Sequence, residues 1–233
     1  MGWEIGRARR DDLTPGREPY TRGPFPQPQV SARSSMTFQS SVRVEKKNLD
    51  DEVQFIRSWF ERPLSTGAVM PSGRVLARRM ASYVDPEVEG PIVELGPGTG
   101  PVTEALVSRG VDPARLVLVE FNPDFCRLLR SRYPTATVVP GDAYAMRRVL
   151  DGFLKQPAAA VVSGLPLVTK PMRTRVRLLH DALNLMLPNA PFIQFTYSTM
   201  PPIPKTLARV VTEASERIWM NLPPARVWIY RKG

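Results

Sequence analysis

Three carboxylates in this chain of 233 residues stand where short apolar runs stop. Glu94 lies in Ile92-Val93-Glu94-Leu95, Glu120 closes Val117-Leu118-Val119-Glu120, and Asp142 follows Pro140-Gly141. Each suits a different polar task. A carboxylate such as Glu120 can accept two hydrogen bonds from a ribose diol, and Phe121 after it can cover one adenine face. Asp142 can accept from an exocyclic amine, and Ala143 beside it leaves room for a ring. One residue, Leu95, separates Glu94 from Gly96-Pro97-Gly98-Thr99-Gly100-Pro101. A dinucleotide loop prefers G-x-G-x-x-G, with a pyrophosphate on the helix N-terminus. Here the spacing is G-x-G-x-G, and Pro101 stands where the third glycine would be. Glu94 would repel a pyrophosphate but suits a cation. An ordinary glycine turn between strand and helix is the competing reading of the loop alone.

These groups must be held by strands and helices in alternation. Periodicity and turn signals predict strands over 92–95, 116–120, 137–139, 158–162 and 192–197. They predict helices over 101–109, 122–132, 144–150, 171–187 and 205–216, with Pro101 and Pro123 suited to first helical turns. Segments 219–221 and 227–230, joined by Leu222-Pro223-Pro224, read as a closing hairpin. The expected fold is α/β and doubly wound, with a mostly parallel seven-stranded sheet and a C-terminal antiparallel hairpin. Ligands of such sheets bind beyond the carboxyl ends of the strands, which is where Glu94, Glu120 and Asp142 fall.

Upstream of the alternating section the chain changes character. Residues 1–35 are rich in Arg, Pro and Gly and read as a disordered or extended basic tail. Residues 36–85 carry two expected helices. In the first, over 48–61, Val53, Phe55, Ile56, Trp59 and Phe60 form an apolar stripe. The second runs from a cap at Ser72 to Tyr83. The main domain is expected over 86–233. No run of about 18 apolar residues is present, and no leader with a small-residue cleavage site is visible. The single cysteine, Cys126, excludes an internal disulfide or a cysteine-rich metal site, and a buried small hydrophobe is expected there. No metal is expected. The formal net charge of +10 favours anionic partners: RNA, DNA or an anionic membrane leaflet.

The Glu94-Leu95-Gly96-Pro97-Gly98-Thr99-Gly100 loop resembles motif I of the class I S-adenosylmethionine (SAM) methyltransferases. The fourth strand then decides among acceptors. Enzymes of this fold that methylate adenine amines carry Asn/Asp-x-Pro-Tyr/Phe there. This chain has Ser163-Gly164-Leu165-Pro166-Leu167 instead, with no ring to stack on a flipped base. With Thr66-Gly67-Ala68-Val69-Met70-Pro71-Ser72 and the helix before the domain, the pattern is similar to the soluble bacterial phospholipid N-methyltransferases. That likeness runs from about Phe38 to the C-terminus.

The resemblance implies SAM as cofactor, held by Glu94, Gly96, Pro97, Gly98, Thr99, Gly100, Glu120, Phe121, Asp142, Ala143 and Ser163. It implies phosphatidylethanolamine as substrate, methylated stepwise towards phosphatidylcholine at the cytoplasmic face of an anionic membrane. No nucleic-acid partner is expected, and the oligomeric state stays open. Because an ethanolamine ammonium must lose a proton before attack, Tyr197, Ser163 and Gly164 are the candidate acceptor-side groups. Arg173, Arg175 and Arg177, or Lys170, are candidates for a lipid phosphate. His180, the only histidine, is a candidate substrate contact or a structural helix residue. The apolar stripe from Val53 to Phe60 would meet the membrane or pack on the domain. Two rival readings remain: an RNA or rRNA adenine N-methyltransferase, and a membrane-surface binding protein without activity.

Overall fold

The computed structural model describes residues 71–221 and 223–233. The expectations for the basic tail and for Val53, Phe55, Ile56, Trp59 and Phe60 fall outside the described residues. The strands are β1 (Ile92–Leu95), β2 (Leu116–Glu120), β3 (Thr137–Pro140), β4 (Ala160–Ser163), β5 (Phe192–Thr196), β6 (Val210–Ala214) and β7 (Arg226–Lys232). The helices are α1 (Pro71–Ala81), α2 (Pro101–Ser108), α3 (Pro123–Arg132), α4 (Met146–Val149), α5 (Met172–Leu185) and α6 (Lys205–Ala208).

One seven-stranded sheet results, in the order β3-β2-β1-β4-β5-β7-β6. β1 through β5 are parallel, and β7 pairs antiparallel with both β5 and β6. The inner strands β1, β2 and β4 are buried at every position. Layers of helix on both faces explain why they read as unbroken apolar runs rather than alternating ones. β3 is an edge strand, so Pro140, which lacks a ladder N–H, is tolerated there.

Period-two alternation divides the core. Val93, Leu95, Val117, Val119, Val161 and Phe192 meet Leu178, Leu179 and Ala182 of α5 on one face. Ile92, Leu116, Leu118, Val162 and Ile193 meet Leu76 and Met80 of α1 and Leu106 of α2 on the other. Each fully buried side chain of this size stabilises the fold by about 1.5–3 kcal/mol.

Helix starts lie directly against strand ends. Asn122 caps α3, its side-chain oxygen accepting from Asp124 N at 2.8 Å, so the helix begins three residues past Glu120. Gly100 turns the chain into α2 with φ of +86°, and Pro101 takes the first helical position. No described helix is long and apolar enough to cross a membrane.

The expected elements need several corrections. The helix expected over 205–216 stops after Ala208, where Arg209 is left-handed (φ +51°). Val210, Val211 and Thr212 then pair with Lys232, Arg231 and Tyr230. Their β-branched side chains suit a pleated strand better than a helix. The closing hairpin therefore exists, but its first strand is β6 and not 219–221. The helix expected over 144–150 is a 3-10 turn, Ala143–Ala145, followed by α4. α1 starts at Pro71, so Ser72 lies inside the helix rather than capping it.

Candidate active site

Glu94 is almost completely buried, at 2% exposure. Thr103 Oγ1, from the first turn of α2, donates to its Oε2 at 2.7 Å. One neutral hydroxyl compensates poorly for taking a carboxylate out of water. Burial therefore pushes the Glu94 carboxyl up to about 8; the negative Glu120 nearby adds to the rise and the Thr103 bond opposes it. No positive group among the described residues offsets that burial. A cation arriving beside Glu94 would favour its ionised form.

Glu120, at the next strand end, is bracketed by two loops. Its Oε2 accepts from Gly98 N at 2.9 Å and its Oε1 from Asn122 N at 2.8 Å. Each oxygen keeps a second acceptor position, so a diol can still be bound while the glycine loop stays docked. Gly98 has φ of +58°, with open space where a Cβ would project. The carboxylate thus sets the shape of the loop as well as facing the cleft. Thr99 is held from the far side by Arg132, whose Nη1 donates to its carbonyl at 2.8 Å.

The third strand end completes this half. Phe121 is 79% exposed and Ala143 is buried. Asp142 caps the turn that follows, accepting from Tyr144 N at 2.9 Å. The Tyr144 hydroxyl is buried with no hydrogen-bond partner among the described residues. Lys170 Nζ sits 4.8 Å from its ring centre.

Between β1 and β4 the backbones close tightly. Gly164 N donates to Leu95 O at 2.8 Å. A Cβ on Gly164 would lie 2.7 Å from Gly96 O, so no larger residue fits without moving backbone. Leu165 Cδ2 in turn fills the space over Gly96, at 2.9 Å from where its Cβ would be. A cradle of glycines beside a buried carboxylate without a cation fits a sulfonium-bearing amino acid moiety over the 96–100 loop.

The expected acceptor residues divide. Ser163 is fully buried at the end of β4. It pairs in register with Gln194 of β5, and both turn toward the α5 face. Tyr197 instead packs edge-on against Phe195, with ring centres 5.5 Å apart, on the α1 face. The two candidate acceptor-side groups, Ser163 and Tyr197, thus stand on opposite faces of the sheet. Gln194 went unnoticed in the sequence, although a lone amide in Phe192-Ile193-Gln194-Phe195 was a visible signal. Its Nε2 donates to Leu165 O at 2.9 Å and to Phe195 O at 2.8 Å, and its Oε1 is buried without a partner among the described residues. Gln194 thereby ties the Ser163-to-Pro166 turn to β5.

Arg173, Arg177 and His180 share a different place. With Met172, Val176 and Leu207 they line a groove of about 480 Å³ along α5. Glu94 and Thr103 lie on the opposite face of the sheet, toward α2. The His180 ring is 3.1 Å from Ala208 O, at the end of α6. Arg175 bonds the carbonyls of Val168, Lys170 and Pro202, so it staples the turn after β4. A second cavity of about 490 Å³, lined by Gly90, Arg115 and Phe153 among others, opens at the amino ends of the strands. Ligands of doubly wound sheets bind at the other edge.

Comparison with known proteins agrees with this layout. No family model matches the chain. It is 29% identical over 188 residues to the ornithine lipid N-methyltransferase of Singulisphaera acidiphila, a match covering 78% of this chain and 97% of that protein. A ribosomal RNA small subunit methyltransferase A from Synechococcus sp. is 44% identical over 54 residues, 22% of this chain and 18% of that enzyme. Among solved structures, the N-methyltransferase NodS from Bradyrhizobium japonicum aligns over 70% of this chain and 97% of its own, with a TM-score of 0.55 and 10% identity. The chain has the fold of the class I SAM-dependent methyltransferases, and these likenesses support S-adenosylmethionine as its cofactor. Among its relatives stands a lipid N-methyltransferase.

Proposed function

We propose that this enzyme methylates the primary amine of a membrane-lipid headgroup, with phosphatidylethanolamine as the expected substrate and ornithine lipid as the related alternative. Both present a primary amine at a bilayer surface. The observation that carries the reading is the match along 97% of a lipid N-methyltransferase. The turn after β4 supports it. Leu165 and Leu167 are buried, at 8% and 1% exposure, so the position that would hold a base-stacking ring is occupied by a core leucine.

In this reading Glu120 accepts from the ribose hydroxyls, Phe121 covers the adenine and Asp142 accepts from its amine. Glu94 and the 96–100 loop hold the methionine end of SAM. Bound there, the cofactor supplies an electrophilic methyl on a sulfonium sulfur. The acceptor amine would have to be unprotonated to take that methyl group, so the residues at the β4 turn would have to hold it as the free amine facing the 96–100 loop. The nitrogen's proton leaves to water. Ser163 and the Gly164 backbone, held by Gln194, orient the amine from the β4 side. Tyr197 borders the acceptor from the opposite face, where its ring favours a cationic product. Holding reactants in this geometry supplies much of the rate.

The test is transfer of labelled methyl from SAM by the full chain to four acceptors: vesicles of phosphatidylethanolamine, of ornithine lipid, of phosphatidylcholine, and ribosomal RNA. Label in the extracted amine lipid supports the proposal, and the preferred vesicle identifies the headgroup. Label in RNA, or in no acceptor, overturns it.

A further inference from the structure

Strand pairing places the turn between β6 and β7 on the carboxyl edge of the sheet. β7 begins at Arg226 opposite Thr196, the last residue of β5, and β6 ends at Ala214 opposite Trp228. The chain between them therefore projects from the same edge as Glu94 and Glu120. Neighbouring strands are about 4.8 Å apart, so this turn stands roughly 19 Å along the rim from the end of β2.

The turn is built and anchored. Ile218 and Ala225 pair at its base, with N–O distances of 2.7 and 3.3 Å. Ile218 and Asn221 are buried, at 7% and 3% exposure, and Asn221 Nδ2 donates to Pro223 O at 2.7 Å. Between these anchors Trp219 and Met220 are 74% and 77% exposed. A tip that buries its flanks and presents an indole beside a thioether is not a frayed loop. Exposed apolar neighbours of this kind mark contact surfaces. The Arg217 guanidinium lies 5.3 Å from the Trp219 ring centre, and Arg226 starts the next strand. Met200, just past β5, and Phe121, just past β2, are exposed on the same rim.

We infer that Trp219 and Met220 form a wedge that enters the interfacial layer of an anionic bilayer, with Arg217 facing lipid phosphates. Indole rings settle at the headgroup level. Basic residues there are attracted to an anionic surface. The chain's net charge of +10 complements the same surface. Docked by this tip, the rim meets the membrane beside the β4 and β5 ends, so an amine on a headgroup reaches the cleft without leaving the bilayer. The wedge deepens the lipid reading above and rests on it.

The test uses vesicles of phosphatidylcholine and phosphatidylglycerol, which hold no primary amine, so docking is read apart from methyl transfer. Sedimentation compares the full-length chain with the double variant Trp219→Ala/Met220→Ser, and with Arg217→Gln. Calorimetric SAM affinity checks that each variant is folded. The expected result is vesicle affinity at least tenfold weaker in the double variant and severalfold weaker in Arg217→Gln, with SAM affinity unchanged. Equal vesicle binding by wild type and double variant overturns the wedge, even if amine lipid is methylated. Loss of single-stranded RNA binding in place of vesicle binding overturns it too, and makes the tip a base-stacking platform.

Discussion

The carboxyl edge of this sheet has two unlike halves. Around β1, β2 and β3, polar groups serve one another: Thr103 serves Glu94, Glu120 holds Gly98 and Asn122, and Asp142 caps its own turn. Around β4, β5 and β7 there is no such set of carboxylates among the described residues; the Gln194 amide oxygen is buried without a partner among them, and the Trp219 indole is exposed. The first half is shaped for a ligand that does not vary, so its carboxylates are pre-set by backbone donors. The second half must admit an acceptor that arrives from a surface.

The largest effect expected from breaking this division is at Glu120. Replacement by Ala removes both the diol acceptor and the anchor of the glycine loop. SAM affinity should fall about 100-fold or more, since hydrogen bonds to a charged group contribute roughly 1.5–3 kcal/mol each. Calorimetric titration reads the loss, and vesicle binding should not change.

Glu94 sharpens the comparison through pH. With its carboxyl near 8 in the ligand-free protein, pairing with a cation below that pH requires release of a proton. SAM affinity should rise by up to about tenfold per pH unit toward pH 8 and then level off. Glu94→Gln should bind more weakly at pH 8.5 and lose this slope. The stability sign follows from the raised value. The favourable state is the protonated one, fully present below the ordinary carboxylate range and lost as pH rises through about 8. Thermal melts of ligand-free protein should therefore show Glu94→Gln gaining on wild type as pH rises across that window.

On the acceptor half, Gln194→Leu should release the turn that carries Ser163 and Gly164. Turnover should fall about tenfold through misplacement of the amine, with KM for lipid raised and SAM affinity within about twofold of wild type. A matching loss of SAM affinity would move Gln194 into the cofactor half. The smallest effect is expected at His180. His180→Ala removes the contact with Ala208 O and should cost about 1 kcal/mol in denaturant melts, with methyl transfer unchanged. A large loss of turnover would bring the α5 groove into the active site.

The cofactor half was the more legible in the sequence. Its signals are local: a carboxylate at the end of an apolar run, a glycine turn, a proline opening a helix. The strands over 92–95 and 116–120 match β1 and β2 residue for residue. The partner of Glu94 was not legible, because Thr103 meets it only once α2 folds back over β1. At the C-terminal end, Lys205 to Glu216 carries apolar spacing compatible with a helix. Only pairing with β7 turns Val210 to Ala214 into a strand. That error hid the position of Trp219, which read as part of a strand and proved to be the exposed tip between two strands. Tyr197 shows the same limit: alternation along β5 puts it across the sheet from Ser163, a fact of register that composition does not carry.

The central claim is that SAM lies across the ends of β1, β2 and β3. The most direct measurement is a crystal structure of the full chain with the demethylated product, S-adenosylhomocysteine. The account predicts its ribose on Glu120, its adenine between Phe121 and Asp142, and its amino acid end over Gly96 to Gly100 near Glu94. Density for the nucleoside in the α5 groove or in the cavity at the amino ends of the strands would contradict it.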